Sequence, residues 1–165
     1  PVYTKAPGTF SGNPTLAGSP ALPQQGSVDI DIAGHISKLK GRATILTTDQ
    51  LNINFGSATN YVTVYSNTSN PPNLNGLRLE GVNGYGLLLV DGDVILDDDI
   101  TWYGTVLVNG LLTIHTNVIF TVRGMIAASV TYNDDQNPDL KYDSCQVAKA
   151  MATKPLNIIR WRERF

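Results

Sequence analysis

The sequence is poor in charged residues, in cysteine and in histidine. Charged side chains make up 16% of its 165 residues, against roughly 25% in an average soluble domain. Cys145 is the single cysteine, which excludes an intrachain disulfide and a metal site built from several cysteines. Neither His35 nor His115 belongs to a His-x-His pair or to a Ser-His-Asp order. We therefore expect no catalytic residue, no metal ligand and no bound cofactor.

Long apolar runs and a strong charge imbalance are also missing. No apolar stretch approaches the roughly 18 residues that a membrane-spanning helix requires. The net charge is −2 and the isoelectric point is about 5.5, so no broad electrostatic attraction to nucleic acid is expected. The polar character comes instead from asparagine, threonine, serine, aspartate and 15 glycines. Such a composition is commoner outside the cytoplasm, and it favours an extracytoplasmic protein, periplasmic or at the cell surface.

The length suits one domain with a core of its own. Residues 1–26 are rich in proline and glycine, which predicts an irregular lead-in. Residues 27–143 are expected to form a β domain, and residues 144–165 a helix and an edge strand that cap the same domain.

Short strand patterns begin after the lead-in. Ser27–Ile32 alternates apolar residues with aspartates, which predicts a half-buried strand. β-branched and aromatic residues predict three further strands, at Arg42–Thr47, Leu51–Phe55 and Tyr61–Tyr65. Ser66–Gly76 contains two prolines and is expected to be a loop. None of these segments has a helical period.

Residues 86–134 contain an internal repeat. Gly86, Gly104 and Gly124 each open a β-like segment, at offsets of 18 residues (104 − 86) and 20 residues (124 − 104). Stacking the three copies gives two apolar columns and a polar one, namely Leu88, Val106 and Ile126; Val90, Val108 and Ala128; Asp91, Asn109 and Ser129. A fixed coil length with period-2 alternation predicts a short right-handed parallel β-solenoid of about 18–20-residue coils, in which each coil buries its face on the next.

An antiparallel β-meander or sandwich is the alternative fold. The Asp-Gly pair at 91–92 and the Asn-Gly pair at 109–110 are strong hairpin signals, because type I′ turns favour these residues. The column match continues past both turns, and the third copy has no glycine at this position. Both features favour the solenoid.

The repeated strands are apolar on both faces. If Leu88 and Val90 point into the coil, then Leu87, Leu89 and Leu107 point outward. A strand that is apolar on both faces is covered on both faces. The outer leucines therefore predict an element that packs over them.

Residues 144–165 are predicted to provide that cover. Asp143 or Ser144 suits an N-cap, and Pro155 ends the helix that follows. The helix face expected to pack on the sheet consists of Val147, Ala148 and Met151. In the following Asn157–Phe165, apolar residues alternate with charged ones: Ile159, Trp161 and Phe165 on one side, Arg160, Arg162 and Arg164 on the other. A charged edge strand stops a β-stack from continuing into another molecule.

Several of these runs resemble a known family. The run GYGLLLVDGDVILDDDITWYGTVLVNG, the run VIFTVRGMIAAS, and the ending YDSCQVAKAM with IIRWRE resemble type IV pilus assembly proteins of the PilX class. The resemblance covers residues 84–163 and rests on glycine turns and apolar columns. It implies a minor-pilin-like accessory subunit whose partners are other pilus or assembly-machine subunits. It also implies anchoring in the membrane or pilus through an N-terminal helix that this chain lacks. It brings no catalytic residues.

Five acidic residues form the sharpest cluster, namely Asp91, Asp93, Asp97, Asp98 and Asp99. A calcium site or the acids of a solenoid polysaccharide lyase or hydrolase are the functional interpretations. The spacing does not fit an EF-hand loop, and consecutive side chains diverge on an extended chain. We expect solvent-exposed turn carboxylates and no bound metal.

The remaining candidates also have a structural explanation. The loop pair Asp134 and Asp135 is expected to be solvent-exposed. Trp102 and Tyr103 suit a sugar-binding platform, but outward packing under a neighbouring loop is the favoured interpretation. Cys145 is expected to be a half-buried residue in the first turn of the C-terminal helix, without a base to activate it.

The sequence thus predicts a structural, non-enzymatic subunit that acts by protein–protein contact. A cell-surface module that binds carbohydrate or acts as an adhesin is the alternative, with surface polysaccharide as its partner. A polysaccharide-active enzyme is the third hypothesis, and it requires clustered acids in an open groove.

Overall fold

The computed structural model describes residues 3–4, 24–25, 30–47, 50–68, 76–131 and 138–152. Its strands are β1 (Tyr3–Thr4), β2 (Gln24–Gln25), β3 (Ile45–Thr47), β4 (Gln50–Leu51), β5 (Val62–Asn67), β6 (Leu77–Leu79), β7 (Asn83–Asp91), β8 (Val94–Leu96), β9 (Ile100–Ile114), β10 (Phe120–Thr131) and β11 (Asp139–Tyr142). Its helices are α1 (Ile32–Leu39), a 3-10 turn (Lys40–Arg42) and α2 (Ser144–Met151). None of the helices in these ranges has the length and hydrophobicity needed to cross a membrane.

The strands stack in parallel as a β-solenoid of about four turns with a short C-terminal helix. β3, β5, β7 and β9 follow one another on one side of the coil, and β4, β6, β8 and β9 on the next side. β9 is long enough to belong to both sides and also pairs with β10, which pairs with β11. Every pairing between these strands is parallel. The solenoid prediction is therefore confirmed, and the antiparallel meander is wrong.

The repeated glycines form a column at a bend in the coil. Gly86 is in register with Gly104, and Gly104 with Gly124. Their φ angles are 133°, 136° and 147°, a region that side-chain-bearing residues rarely adopt. A Cβ on Gly104 would lie 2.2 Å from the carbonyl oxygen of Gly86. Glycine is thus required both by the backbone conformation and by the closeness of the adjacent coil.

The predicted apolar columns are confirmed in part. Leu88 and Ile126 both align with Val106. The third copy departs from the prediction after Ala127, because a register shift aligns Ser129 with Leu111. Three residues lie between Leu107 and Leu111, but only one lies between Ala127 and Ser129. The Asn-Gly corner of β9 thus has no counterpart in β10, and the polar column prediction is wrong for its third member.

The core fills the interior of the coils. It contains buried residues from the strands and from the turns that join them: Phe55, Val64, Leu77, Leu79, Val82, Leu88, Val90, Val94, Leu96, Ile100, Trp102, Val106, Val108, Leu112, Ile114, Val118, Phe120 and Val122. Trp102 is 0% exposed, and its indole N–H donates to the carbonyl oxygen of Gly86 at 3.1 Å. The prediction that Trp102 packs outward is therefore wrong. Trp102 lies two residues after the buried Ile100, so both side chains are on the inward-facing side of β9.

A second apolar cluster lies outside the coil, as the outer leucines predict. Leu87, Leu89 and Leu107 are buried there together with Ala150 of α2. The predicted cover by the C-terminal helix is confirmed. Ile36 and Leu39 of α1 belong to the same cluster, so two helices cover the outer face.

The alternation in Ser27–Ile32 predicted a strand and gave no indication of helix α1. In the described part of that range, Ile30 is 47% exposed and Ile32 begins the helix. Asp31 is the N-cap, and its side chain accepts a hydrogen bond from the Gly34 N–H at 2.8 Å. Ile32, Ile36 and Leu39 then have the i, i+4, i+7 spacing of one helix face. Asp31, which alternates with apolar residues as in a strand, is therefore the cap of a helix.

Helix α2 begins as predicted but buries a different face. Asp143 is the N-cap, with its side chain accepting from the backbone N–H groups of the second and third helical residues. Ala150 is 0% exposed, whereas Met151 is 40% exposed and Ala148 is exposed. Ala150 faces the glycine column, because its Cβ would lie 3.0 Å from a Cβ on Gly104. Only a small residue fits such a close approach.

The strands predicted before the repeat lie close to those found. Ile45–Thr47 forms the end of the first predicted strand, and Val62–Asn67 overlaps the third. Of Leu51–Phe55, Leu51 belongs to β4 and Phe55 pairs with Gly84 in an isolated bridge. Most of the predicted loop after Asn67, the pair Asp134 and Asp135, and the predicted edge strand Asn157–Phe165 lie outside the described residues.

Candidate functional surfaces

The acidic turn after β8 ties three coils together. One carboxylate oxygen of Asp97 lies 2.6 Å from the Nε of Arg78, and the other lies 2.6 Å from the Nδ1 of His115. Arg78 belongs to β6, and His115 follows β9. The carboxylate of Asp97 therefore bridges the coil before its own and the coil after it.

The next two aspartates are also used as hydrogen-bond acceptors. Asp99 Oδ1 accepts from the backbone N–H of Ile119 at 2.7 Å, in the turn of the following coil. Asp98 Oδ1 accepts from the backbone N–H of Asp99 at 2.7 Å. The described residues contain no group of three or more histidine, cysteine, aspartate or glutamate side chains able to hold a metal ion.

The acids at the first corner behave in the same way. Asp91 Oδ1 accepts from the Asn109 side-chain amide at 2.9 Å. Asp93 Oδ1 accepts from the backbone N–H of Leu111 at 2.8 Å. From the sequence, these aspartates were expected to be solvent-exposed turn residues. The structure shows that they also link adjacent coils.

A sequence signal for these links does exist. Asp91 and Asn109, Asp93 and Leu111, and Asp99 and Ile119 are separated by 18, 18 and 20 residues. These separations equal the coil offsets of the glycine column. A polar side chain one coil period before a turn residue is therefore placed directly beside it in the stack.

Two tyrosines form a stack on the outside of the coil. The rings of Tyr85 and Tyr103 are parallel within 9°, with centroids 4.6 Å apart. Tyr61 meets Tyr85 edge-on, at 5.9 Å and 78°. One face of the Tyr103 ring is therefore covered by Tyr85, and Trp102 is buried in the core. The positions of these two rings give no support to the sugar platform considered from the sequence. The 18-residue offset from Tyr85 to Tyr103 is the signal that sequence reasoning missed.

Tyr61 connects this stack to α2. Its hydroxyl donates a hydrogen bond to the Gln146 side chain, and the Lys149 ammonium lies 5.8 Å from its ring centroid. Burial, and then the neighbouring Tyr85 and Asp143, raise the pKa of Tyr61. A shallow groove of about 320 Å³ lies beside it, lined by Ala58, Thr59, Tyr61, Lys149 and Ala152.

A charged pair lies one coil beyond the tyrosine stack. Arg123 is in register with Tyr103 and donates hydrogen bonds to the Asp139 carboxylate and to its backbone oxygen. The hydrogen bond from Arg123 lowers the pKa of Asp139, and the same bond raises the pKa of Arg123. This pair joins β10 to β11.

The other sequence candidates are not brought together. His35 is exposed on α1, whereas His115 is in the turn after β9. Cys145 is exposed, contrary to the expectation of half-burial, because Ala150 on the opposite side of α2 faces the sheet. The stripe of Arg160, Arg162 and Arg164 lies outside the described residues.

Comparison with known proteins gave no relatives. No protein-family model, no curated protein and no solved structure matches this chain.

Proposed function

We propose that this chain is a structural accessory subunit of type IV pilus assembly, or of a related cell-surface machine. It acts outside the cytoplasm, without enzymatic activity, through contact with other subunits. The observation that supports this most is the use of the turn acids. Asp91, Asp93, Asp97 and Asp99 each accept a hydrogen bond or an ion pair from an adjacent coil.

Carboxylates engaged in this way stabilise a rigid shape. A general acid or nucleophile must be able to reach a substrate, whereas these oxygens are directed at backbone N–H groups and side chains of the same molecule. The helix-covered outer face adds a second layer to the coil. A four-turn coil whose turns are linked in this way suits a subunit that works by shape.

The resemblance of residues 84–163 to the PilX class supports the particular machine. The partners proposed from it are other pilus or assembly-machine subunits. A net charge of −2 gives no reason to add nucleic acid to them.

Gene deletion tests the proposal. We expect the strain that lacks this gene to carry fewer surface pili, and a plasmid copy of the gene to restore them. Chemical cross-linking in the complemented strain, followed by purification of this chain, is expected to recover pilus subunits. Normal pilus numbers in the deletion strain would rule out the pilus role.

A further inference from the structure

A column of tyrosine rings crosses adjacent coils on the outside of the solenoid. Tyr85 is in register with Tyr103 on the neighbouring strand, and both side chains are half-buried. Their ring centroids are 4.6 Å apart and the ring planes differ by 9°. This separation is close to the spacing of about 4.7–4.9 Å between neighbouring strands. The two rings therefore lie one above the other, with equivalent ring atoms facing each other.

Two phenols held in this way can be joined by oxidation without a catalytic residue on this chain. Loss of one electron and of the hydroxyl proton converts each phenol into a phenoxyl radical, which shares its unpaired electron with the ring carbons beside the C–O carbon. A bond between one such carbon of each ring pairs the two electrons, and the hydrogen on each joined carbon then moves to the phenol oxygen. The pair thus loses two electrons and two protons, which reduce one hydrogen peroxide to two water molecules.

Tyr61, the third ring of the column, is less suited to this reaction. It meets Tyr85 edge-on, at 78° and a centroid distance of 5.9 Å, so equivalent ring atoms do not face each other. The Lys149 ammonium lies 5.8 Å from the Tyr61 ring centroid, and a nearby positive charge opposes removal of an electron from that ring. Burial, and then Tyr85 and Asp143, raise the pKa of Tyr61, which opposes loss of its proton. The geometry thus selects Tyr85 and Tyr103.

The neighbour of the stack on its other side carries a compensated charge. Arg123 is in register with Tyr103, and its guanidinium forms an ion pair with the Asp139 carboxylate. Paired charges oppose removal of an electron from Tyr103 less than a lone cation would. The surroundings of Tyr103 therefore permit its oxidation, whereas those of Tyr61 oppose it.

We propose that Tyr85 and Tyr103 form an oxidative cross-linking site, at which a carbon–carbon bond between the two rings ties one coil to the next. The oxidant is hydrogen peroxide, used by a peroxidase or another one-electron oxidant. The bond closes a segment of 18 residues (103 − 85), so it stabilises the fold as a disulfide does, by restricting the unfolded chain. It adds a covalent link to the polar links that the turn acids make between coils. This site does not depend on the proposed pilus role.

Oxidation of the full chain tests the site. The protein, with Cys145→Ser to remove its exposed thiol, is treated at low concentration with a haem peroxidase and hydrogen peroxide, and the monomer is isolated by gel filtration. An endoproteinase that cuts at aspartate separates Tyr85 from Tyr103, because Asp91 lies between them. We expect mass spectrometry of the monomer to show the two peptides joined with the loss of two hydrogen atoms, together with dityrosine fluorescence. The melting temperature of the monomer should rise by several degrees on treatment.

Three variants keep the aromatic rings but each remove one hydroxyl group. Tyr85→Phe and Tyr103→Phe should each abolish the cross-link within the monomer and the rise in melting temperature. Tyr142→Phe is the matched control, because Tyr142 is 54% exposed and its register partner is Gly124. This control should leave the cross-link of the monomer unchanged. Circular dichroism and melting temperature before oxidation establish that each variant is folded.

Three results would overturn the proposal. In the first, the monomer carries no dityrosine although the same reagents join free tyrosine in a parallel sample. In the second, the cross-link of the monomer joins another pair, such as Tyr61 and Tyr85. In the third, folded Tyr103→Phe keeps the dityrosine of the monomer.

Discussion

Single glycines fix the path of each coil, and Gly104 is the member of the column that lies against both the preceding coil and helix α2. A Cβ at this position would meet the Gly86 carbonyl oxygen at 2.2 Å and the Ala150 Cβ at 3.0 Å, at a φ of +136°. We expect Gly104→Ala to lower the free energy of unfolding by about 3 kcal/mol or more, since it adds backbone strain and overpacking. Urea denaturation followed by circular dichroism measures the change.

Gly41→Ala is the matched control. No atom lies within 4 Å of a Cβ built on Gly41, so its effect should stay within about 0.5 kcal/mol. Equal losses for the two variants would contradict the role of the glycine column.

The Arg123–Asp139 pair predicts a dependence of stability on pH. Arg123 lowers the pKa of Asp139, so the pair stabilises the folded state above the ordinary aspartate pKa of about 3.9. That stability is lost as the pH falls through the lowered pKa of the folded state. Asp139→Asn should therefore be less stable than the natural protein at neutral pH, and this difference should shrink as the pH falls below about 3.9 and the aspartate becomes protonated.

The size of this effect is limited by solvent. Both side chains are partly exposed, at 29% for Arg123 and 44% for Asp139, so salt should weaken the difference. A difference in unfolding free energy that stays constant from neutral to acid pH would show that this carboxylate does not contribute through its charge.

At the scale of elements, Ala150 is the buried side chain of α2, all eight residues of which are described. Ala150 is fully buried against β9, whereas Ala148, two residues earlier, is exposed. Ala150→Glu should lower the free energy of unfolding by about 3 kcal/mol or more, because it places an unpaired charge between α2 and the glycine column. Ala148→Glu should stay within about 0.5 kcal/mol. Thermal and urea unfolding of the two variants give the comparison, and equal stabilities would place α2 elsewhere.

Elements with a long-range repeat were the ones that sequence predicted best. The register of Leu88 with Val106 followed from the coil offset, and the need to cover Leu87 and Leu89 followed from their alternation. Helix α2 was signalled by Asp143 and Pro155. Helix α1 was missed because the few apolar residues around Asp31 fit both a strand and a capped helix. The helix is favoured by packing against the outer leucines, and that contact cannot be read from the local sequence.

The polar links between coils were not predicted for a related reason. Asp97 looked like one of three adjacent acids, and nothing local to it indicates Arg78 or His115. Their contact arises from coil stacking, since 19 residues separate Arg78 from Asp97 and 18 separate Asp97 from His115. A search for polar pairs at the coil offset would have found them, as it would have found the stack of Tyr85 and Tyr103.

At the scale of the whole molecule, layers of contacts hold the coils in a fixed stack. The inner core fills the coil, helices α1 and α2 cover one outer face, and the turn acids join coil to coil. These layers involve side chains far apart in the sequence, so the described solenoid is expected to unfold as a unit. A body held in this way keeps its surfaces constant, as the proposed function by contact requires.

The most direct test of that function compares two variants in the gene-deletion strain. Asp97→Asn, Asp98→Asn and Asp99→Asn are combined in one protein, since asparagine removes the carboxylates but keeps an oxygen acceptor for the backbone N–H groups bound by Asp98 and Asp99 and for one of the two side-chain partners of Asp97. Val108→Asp serves as the unfolded reference, because Val108 is 1% exposed and an unpaired charge there is strongly unfavourable.

Pilus counts are measured beside melting temperatures. We predict that the triple amide variant folds and restores normal pilus numbers, whereas Val108→Asp restores none. A folded triple variant that fails to restore pili would contradict a function by shape and assign a ligand or a reaction to the acidic turn.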